Sequence, residues 1–384
     1  MSSFVNTADR IIFKSFNLSK ESLGIYRIFY CLYLLIMGVP TFLWINNFPS
    51  IFFNPPFISL ASLFSEFPPY WFLMFLSLSA CLLVILLLFG YKTRSVSLLL
   101  AFTILIGKSF SYSFGKINHD FLIWLIPLAM AFSNWGEAYS FDSKKINLHK
   151  NNEERNWPIT LLALALCLAM FSAGLPKIWG GWLNLSSHAV KAHLLNSYYE
   201  NGRQSLLAPF FLKLDSPFIW EFFDYAAITL EVTFLFAFIR PNLFRAYVFF
   251  AIIFHVLNFL MLNIAFNPNC ILYLLFIDWN MVLDFFRKHK VLDYFNRLIS
   301  VRNLIIVGIV YFIFVFIVLT KDNKDSSSII SPLNSILKFF NLSSLSIQLI
   351  MGSTVIFSTL ILGIINVIYF IRNKKFSRPL LSSN

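Results

Sequence analysis

The amino-acid sequence predicts an all-α fold: a polytopic helical membrane bundle of about ten transmembrane helices, with no soluble domain. Three observations carry that prediction. The 384 residues are 58% hydrophobic and only 12% charged, whereas a soluble domain carries about 25% charged residues. The mean hydropathy is +0.73. Apolar runs recur along the whole chain, each near the roughly 20 residues that a helix needs to cross a bilayer. No strand-like alternation competes with them, and no internal repeat is evident.

The runs follow one another in a regular order. The first, 24–45, comes after a polar start containing Arg10, Lys14 and Lys20 and runs into an apolar, Pro-rich loop, 46–68. The second, 69–90, stops before Lys92 and Arg94, and the third, 96–115, stops before Lys116. A short fourth run, 119–134, opens on Asn118-His119-Asp120 and leads to a basic stretch ending at Arg155. The fifth, 157–176, closes on Lys177 and a long loop to 217. The runs at 218–239 and 244–263 flank Arg240, and a short eighth occupies 269–286. The last two are 303–320 and 346–371. The chain thus divides into an N-terminal segment, 1–23, a membrane domain, 24–286, and an extra helix pair with a tail, 287–384.

Threading these runs through a bilayer puts 20 basic residues on one side and 8 on the other. The positive-inside rule then places both termini in the cytoplasm of an integral membrane protein, read as one of a bacterial cytoplasmic membrane. The net charge of +12 follows from anchoring against anionic lipid and implies membrane lipids, and no nucleic acid, as partners. The polar start argues against a cleaved signal peptide. Cys31, Cys81, Cys167 and Cys270 sit in or beside apolar runs without a CxxC pair, as small membrane-helix residues do. No metal site or nucleotide-binding motif is visible. On the outer face, 177–217 contains HAVKAHLL and SLLAPFFLKL, read as short amphipathic helices against the outer leaflet.

Ionisable groups inside a bilayer are costly and face the bundle interior or a wet cavity. Arg27 is expected to pair with a carboxylate or to reach the headgroups. Lys108 is expected to pair with Asp224 or Glu231, which share a helix face seven residues apart. His255 and Asn258 share a face three residues apart, as a packing pair or as part of a site. Lys177 either reaches the interface, with Trp179 and Trp182 as an aromatic belt, or faces the bundle. Asn118, His119, Lys177 and Glu221 all fall near the outer ends of their helices, where one cavity has access to them. His188 and His193, five apart, make a poor helical metal pair and are read as solvated.

Four segments carry a resemblance: YRIFYCLYLLIMG; SFGKINHDFLIWLIPLAMAFSNWGEAYSFD at 113–142; FSAGLPKIWGGW at 171–182; and 230–279, with a membrane glutamate, then a histidine after phenylalanine, then an asparagine. In this order and at these depths they resemble the HTTM family of vitamin K-dependent γ-glutamyl carboxylase-like integral membrane proteins, over residues 24–285. The resemblance implies a reduced quinone as cofactor. It makes Lys177, in Ala-Gly-x-x-Lys, the base that deprotonates the quinol, and His119 the partner of the oxyanions formed. Glu221 would orient one of them. Asn118, Gly174, Trp179, Trp182, His255 and Asn258 would line the cofactor site. The glycines would let a flat ring approach the backbone, because no Cβ intrudes.

The chain also departs from that pattern. It has loops where the family's carboxylase carries a large lumenal portion, and Pro176 precedes the lysine. Quinol chemistry is therefore the part expected to persist. A second reading, of another class, is a non-catalytic membrane factor that binds or matures a secreted peptide, as in maturation of a sporulation-delaying toxin. A transporter is disfavoured by the missing repeat and by the lack of matched broken helices.

Overall fold

The computed structural model describes residues 16–114, 117, 119–145, 156–288, 301–321, 329–330, 333, 337–338, 340 and 342–372. Among these residues the regular structure is helical, apart from two two-residue strands, Val39–Pro40 and Ile329–Ile330, paired antiparallel. The helices are α1 (Lys20–Met37), α2 (Tyr70–Phe89), α3 (Thr93–Ser111), α4 (Leu122–Met130), α5 (Trp157–Trp179), α6 (Ala189–Leu195) and α7 (Ala208–Leu212). They continue with α8 (Pro217–Ala237), α9 (Pro241–Leu262), α10 (Asn267–Tyr273), α11 (Trp279–Lys288), α12 (Val301–Lys321) and α13 (Ser344–Arg372).

Among the described residues, five helices are long and apolar enough to cross a membrane: those at Tyr70–Phe89, Thr93–Phe114, Trp157–Trp179, Pro241–Leu262 and Leu345–Ile368. The expected count of about ten is not reached, for identifiable reasons. The fourth run yields a helix of 9 residues, α4. The eighth breaks into α10, a single 3-10 turn at Leu274–Phe276, and α11. Neither is long enough to span. The first run ends its helix at Gly38, whose φ of 129° is open to glycine alone, and continues as the short strand and a 3-10 turn. α8 has the length, at 21 residues, but carries Glu221, Asp224 and Glu231.

Irregular backbone at membrane depth is tolerated only where protein satisfies it. Buried tyrosines of α1 do so here. The Tyr26 hydroxyl donates to the Ile271 carbonyl of α10 (3.1 Å) and the Tyr30 hydroxyl to the Ile123 carbonyl of α4 (2.7 Å). The α2–α3 turn is held in the same way. Gly90 adopts φ 66°, and a Cβ there would meet Ser140 Cβ at 2.3 Å. Asp142 accepts from the backbone N–H groups of Lys92 (3.0 Å) and Thr93 (2.6 Å), capping α3. The four cysteines are free and buried.

Two apolar cores result. The larger joins α1–α5 and α8–α13. The smaller gathers Val190, Leu194, Ala208, Trp220 and Met261, so α6 and α7 pack as a roof over the N-terminal end of α8 and the C-terminal end of α9. Asp224 holds that roof. It is fully buried and its carboxylate accepts from the N–H groups of Ala189 (2.8 Å) and Val190 (2.7 Å) at the start of α6. Asn263 clamps the other side, exchanging hydrogen bonds of 3.0 Å with the backbone of Ser205. Replacing Asp224 by Ala strands two buried donors, a loss of about 2–3 kcal/mol. The roof is then expected to open, read as faster protease cleavage within 183–214. Asp224→Asn retains one acceptor and is expected to fall between; equal cleavage of all three proteins would refute the clamp.

Candidate functional site

α5 runs through Pro176 to Trp179, so Lys177 lies inside its last turn and not in a loop beyond a helix ending at 176. Met170, Ala173 and Lys177 therefore share one face of α5. That face meets α8 at Gly174. A Cβ there would lie 2.8 Å from Val232 Cγ2 and 3.0 Å from Glu231 Cβ. The space beside Gly174 is thus filled by α8, and the glycine's visible service is this close helix approach. Its consequence is chemical: Lys177 Nζ donates to both carboxylate oxygens of Glu231. Glu231 is buried, whereas about a fifth of the Lys177 side chain remains accessible, at 22%.

The pair forms part of the wall of a cavity of about 620 Å³ between α5, α8 and α9, roofed by Trp182, His193 and Phe211. Its lining is mostly apolar, with Ala and Phe side chains from α5, α8 and α9. Beyond the ion pair, its polar groups are His193, His255, Asn258 and Asn269. His255 Nε2 lies 2.9 Å from the Tyr273 hydroxyl, and its ring stacks on Phe266 at 4.4 Å. The side chain of Asn258, near the C-terminal end of α9, makes no hydrogen bond to a described residue. Few convergent polar groups in an apolar cavity are the usual form of a small-molecule site.

After α5, Gly181 takes φ 81° and turns the chain back, so that Trp182 covers the lysine. Lys177 Nζ lies 5.1 Å from the Trp182 ring centroid, and His193 sits 5.4 Å from that ring. Burial first, and the Lys177 cation second, hold the His193 imidazole below its ordinary pKa, with Asp224 opposing. His193 is thus neutral near pH 7. Because its folded pKa is the lower one, its contribution to stability is intact above the unfolded value of about 6.5 and declines as pH falls through it. His193→Gln is expected to flatten that acid-side loss in thermal unfolding between about pH 7 and 5. An unchanged pH profile would contradict the assignment.

Other expected residues lie elsewhere. Trp179 is 79% exposed and outside the cavity. Glu221 faces His188, with His188 Nδ1 2.9 Å from Glu221 Oε1, also outside the cavity. Asn118 and the His119 side chain lie outside the described residues. Lys108 does not reach Asp224 or Glu231: it pairs with Asp120 at 2.8 Å, one helical connection away. Arg27 neither pairs with a carboxylate nor reaches headgroups. Its guanidinium is fully buried and donates to the carbonyls of Trp135 (2.7 Å) and Tyr139 (2.5 Å). Neither roof histidine is simply solvated.

The HTTM domain family matches residues 17–281 of the chain, which is more than half of it. The chain belongs to the HTTM family. No curated protein and no solved structure matches this HTTM protein. The match ends within α11, so α12 and α13 are additions to it. They pack onto it at glycines: Gly308 against Ile85 of α2, and Gly352 against Phe259 of α9. The cavity, the Lys177–Glu231 pair and the roof all lie within the matched HTTM segment.

Proposed function

We propose that this HTTM protein is a carboxylase-like membrane enzyme that binds a lipid-soluble quinol, or a similar apolar hydroxyl-bearing cofactor, in the α5–α8–α9 cavity. Lys177 serves as its base. The observation that supports this reading is the Lys177–Glu231 pair set into the wall of an otherwise apolar cavity. A reduced quinone would supply an acidic hydroxyl there. The residues present fit such a group: the apolar walls suit a ring and an isoprenoid tail, and Asn258 offers hydrogen-bonding capacity that no described residue uses.

A lysine is a base only when Nζ is neutral. In water the ammonium–carboxylate form of the pair dominates. In a dry cavity both charges lose solvation, and the neutral amine–acid form rises to meet it. Closing the site over an apolar ligand expels water, shifts the shared proton onto a Glu231 oxygen and leaves Lys177 Nζ to take a proton from the bound hydroxyl. Trp182 keeps water from that atom. Glu231 therefore tunes the base, whereas Glu221, expected from the resemblance to orient Lys177 or His119, faces His188. His119, the family's oxyanion partner by resemblance, is the second catalytic candidate. The charge pattern supports a placement with both termini inside and the roof outside.

The cavity assignment is tested by equilibrium binding of a short-tailed naphthoquinone to purified protein. Ala226 lines the cavity and is exposed, so Ala226→Phe adds bulk to the cavity mouth without overfilling the core. It is expected to weaken binding at least about ten-fold. Unchanged affinity would place the ligand elsewhere.

A further inference from the structure

The cavity that holds the Lys177–Glu231 pair opens on its flank. Six of its lining residues are exposed: His193 in the roof, Ala173 of α5, Phe222 and Ala226 of α8, and Phe250 and Leu257 of α9. Apart from His193 all are apolar. Phe222 and Ala226 are four residues apart and Phe250 and Leu257 seven apart, so each pair forms an edge along one helix face. Phe250 is 56% exposed, yet it sits deep in its helix. It lies nine residues from Pro241 and twelve from Leu262, about 13 and 18 Å along the axis. The hydrocarbon core of a bilayer is about 30 Å thick, so that edge faces acyl chains. The cavity is also uneven along its length. Lys177 and Asn258 stand near the roof. Ala169 and Phe250, eight residues earlier in two helices that both end at the roof, lie about 12 Å deeper. With Ile253 they make the deep wall apolar.

We propose that the cavity is entered sideways from the bilayer, through the slot bounded by Ala173, Phe222, Ala226, Phe250 and Leu257. Its ligand is an amphiphile whose head sits at Lys177 while a long hydrocarbon chain leaves through the slot into lipid. The inference rests on the cavity reading above and deepens it by naming the route and the ligand's shape. A chain that leaves the cavity need not fit inside it. A closed cavity of about 620 Å³ admits a ring with a short tail and rejects a long one. An open slot admits any length, and each added unit exchanges lipid contacts for contacts of the same kind. Affinity is then flat in tail length once ligand concentration is expressed as mole fraction in the bilayer. Two sources supply such a chain, the isoprenoid tail of a quinone and the acyl chain of a phospholipid, and the test separates them.

The full chain in lipid nanodiscs is titrated with naphthoquinones carrying one, four and eight isoprene units. In parallel, a phosphatidylcholine with a diazirine in its acyl chain is photolysed in the same discs and the adducts are mapped by mass spectrometry. The three quinones are expected to bind within about three-fold of one another per mole fraction. Adducts are expected on Leu230 and Ile253, half-buried walls inside the slot, and the eight-unit quinone should suppress them. Adducts on Ile306, 52% exposed on α12, should persist as the control. Binding of the one-unit quinone with a loss of ten-fold or more for the eight-unit one would overturn the slot and leave the cavity assignment standing. Labelling of Ile306 without Leu230 and Ile253 would overturn it too. Adducts on Leu230 and Ile253 in a protein that binds no quinone would uphold the slot, assign it to a phospholipid chain, and overturn the quinol reading.

Discussion

Replacing Lys177 by Met is expected to abolish the proposed quinol-dependent turnover and to destabilise the protein, with the two effects separating in a double variant. The single change leaves the Glu231 carboxylate buried without its cation. Breaking a buried pair from one side costs about 3–5 kcal/mol. The lower end applies here, because Lys177 keeps 22% of its side chain accessible and water is near. Removing both charges, in Lys177→Met with Glu231→Leu, replaces an ion pair by packed apolar groups, which is commonly neutral or stabilising. The double variant is therefore expected to regain the wild-type unfolding midpoint while remaining inactive. Glu231→Gln keeps the shape and deprives Nζ of its proton acceptor, so it should lose at least about a hundred-fold in turnover. A double variant that regains activity would remove Lys177 from the chemistry.

Arg27→Met is the second large effect, and it falls on the fold. The guanidinium sits where α1 passes the chain segment after α4, and its donors satisfy the carbonyls of Trp135 and Tyr139. Without it, one buried and one part-buried acceptor lose charge-assisted partners, at a cost of about 2–3 kcal/mol. Arg27→Lys supplies one compact ammonium in place of a planar fork and recovers only part of the loss. The expected readout is a lower unfolding midpoint in detergent in the order wild type, Lys, Met. A Met variant as stable as wild type would show that water or rearranged backbone satisfies those carbonyls.

Much of the fold and part of the site were legible from residue order. Composition and run length predict a membrane bundle, and the long runs at 69–90 and 244–263 appear as α2 and α9 within a few residues. The short runs were misread for a physical reason. Apolarity alone cannot distinguish a spanning helix from a short buried one, and α4 and α10 are buried against tyrosines from α1. Lys177, Trp182, His255 and Asn258 could be singled out, because polar and aromatic residues at membrane depth stand out against an apolar background. Their partners could not. Seven-residue spacing puts Asp224 and Glu231 on one helix face, but one carboxylate caps α6 and the other holds Lys177, a choice made by helix packing at Gly174. His193 and Asn269 were not assigned to the candidate site. His193 was read as solvated within the amphipathic stretch HAVKAHLL, and Asn269 opens an apolar run too short to read as a cavity wall. Pro176 was a misleading signal: the helix continues through it for one turn.

Lys177, tuned by Glu231, is proposed to take a proton from a quinol in the α5–α8–α9 cavity. The most direct measurement is oxygen-dependent conversion of a reduced naphthoquinone to its epoxide by purified protein. Wild type, Lys177→Ala and the Lys177→Met/Glu231→Leu double variant would be compared, with folding verified by naphthoquinone binding. The account predicts epoxide from wild type and none from either variant, while the double variant still binds. Absence of epoxide from folded, ligand-binding wild type across several quinols would contradict it, and so would epoxide formed at the wild-type rate by the double variant.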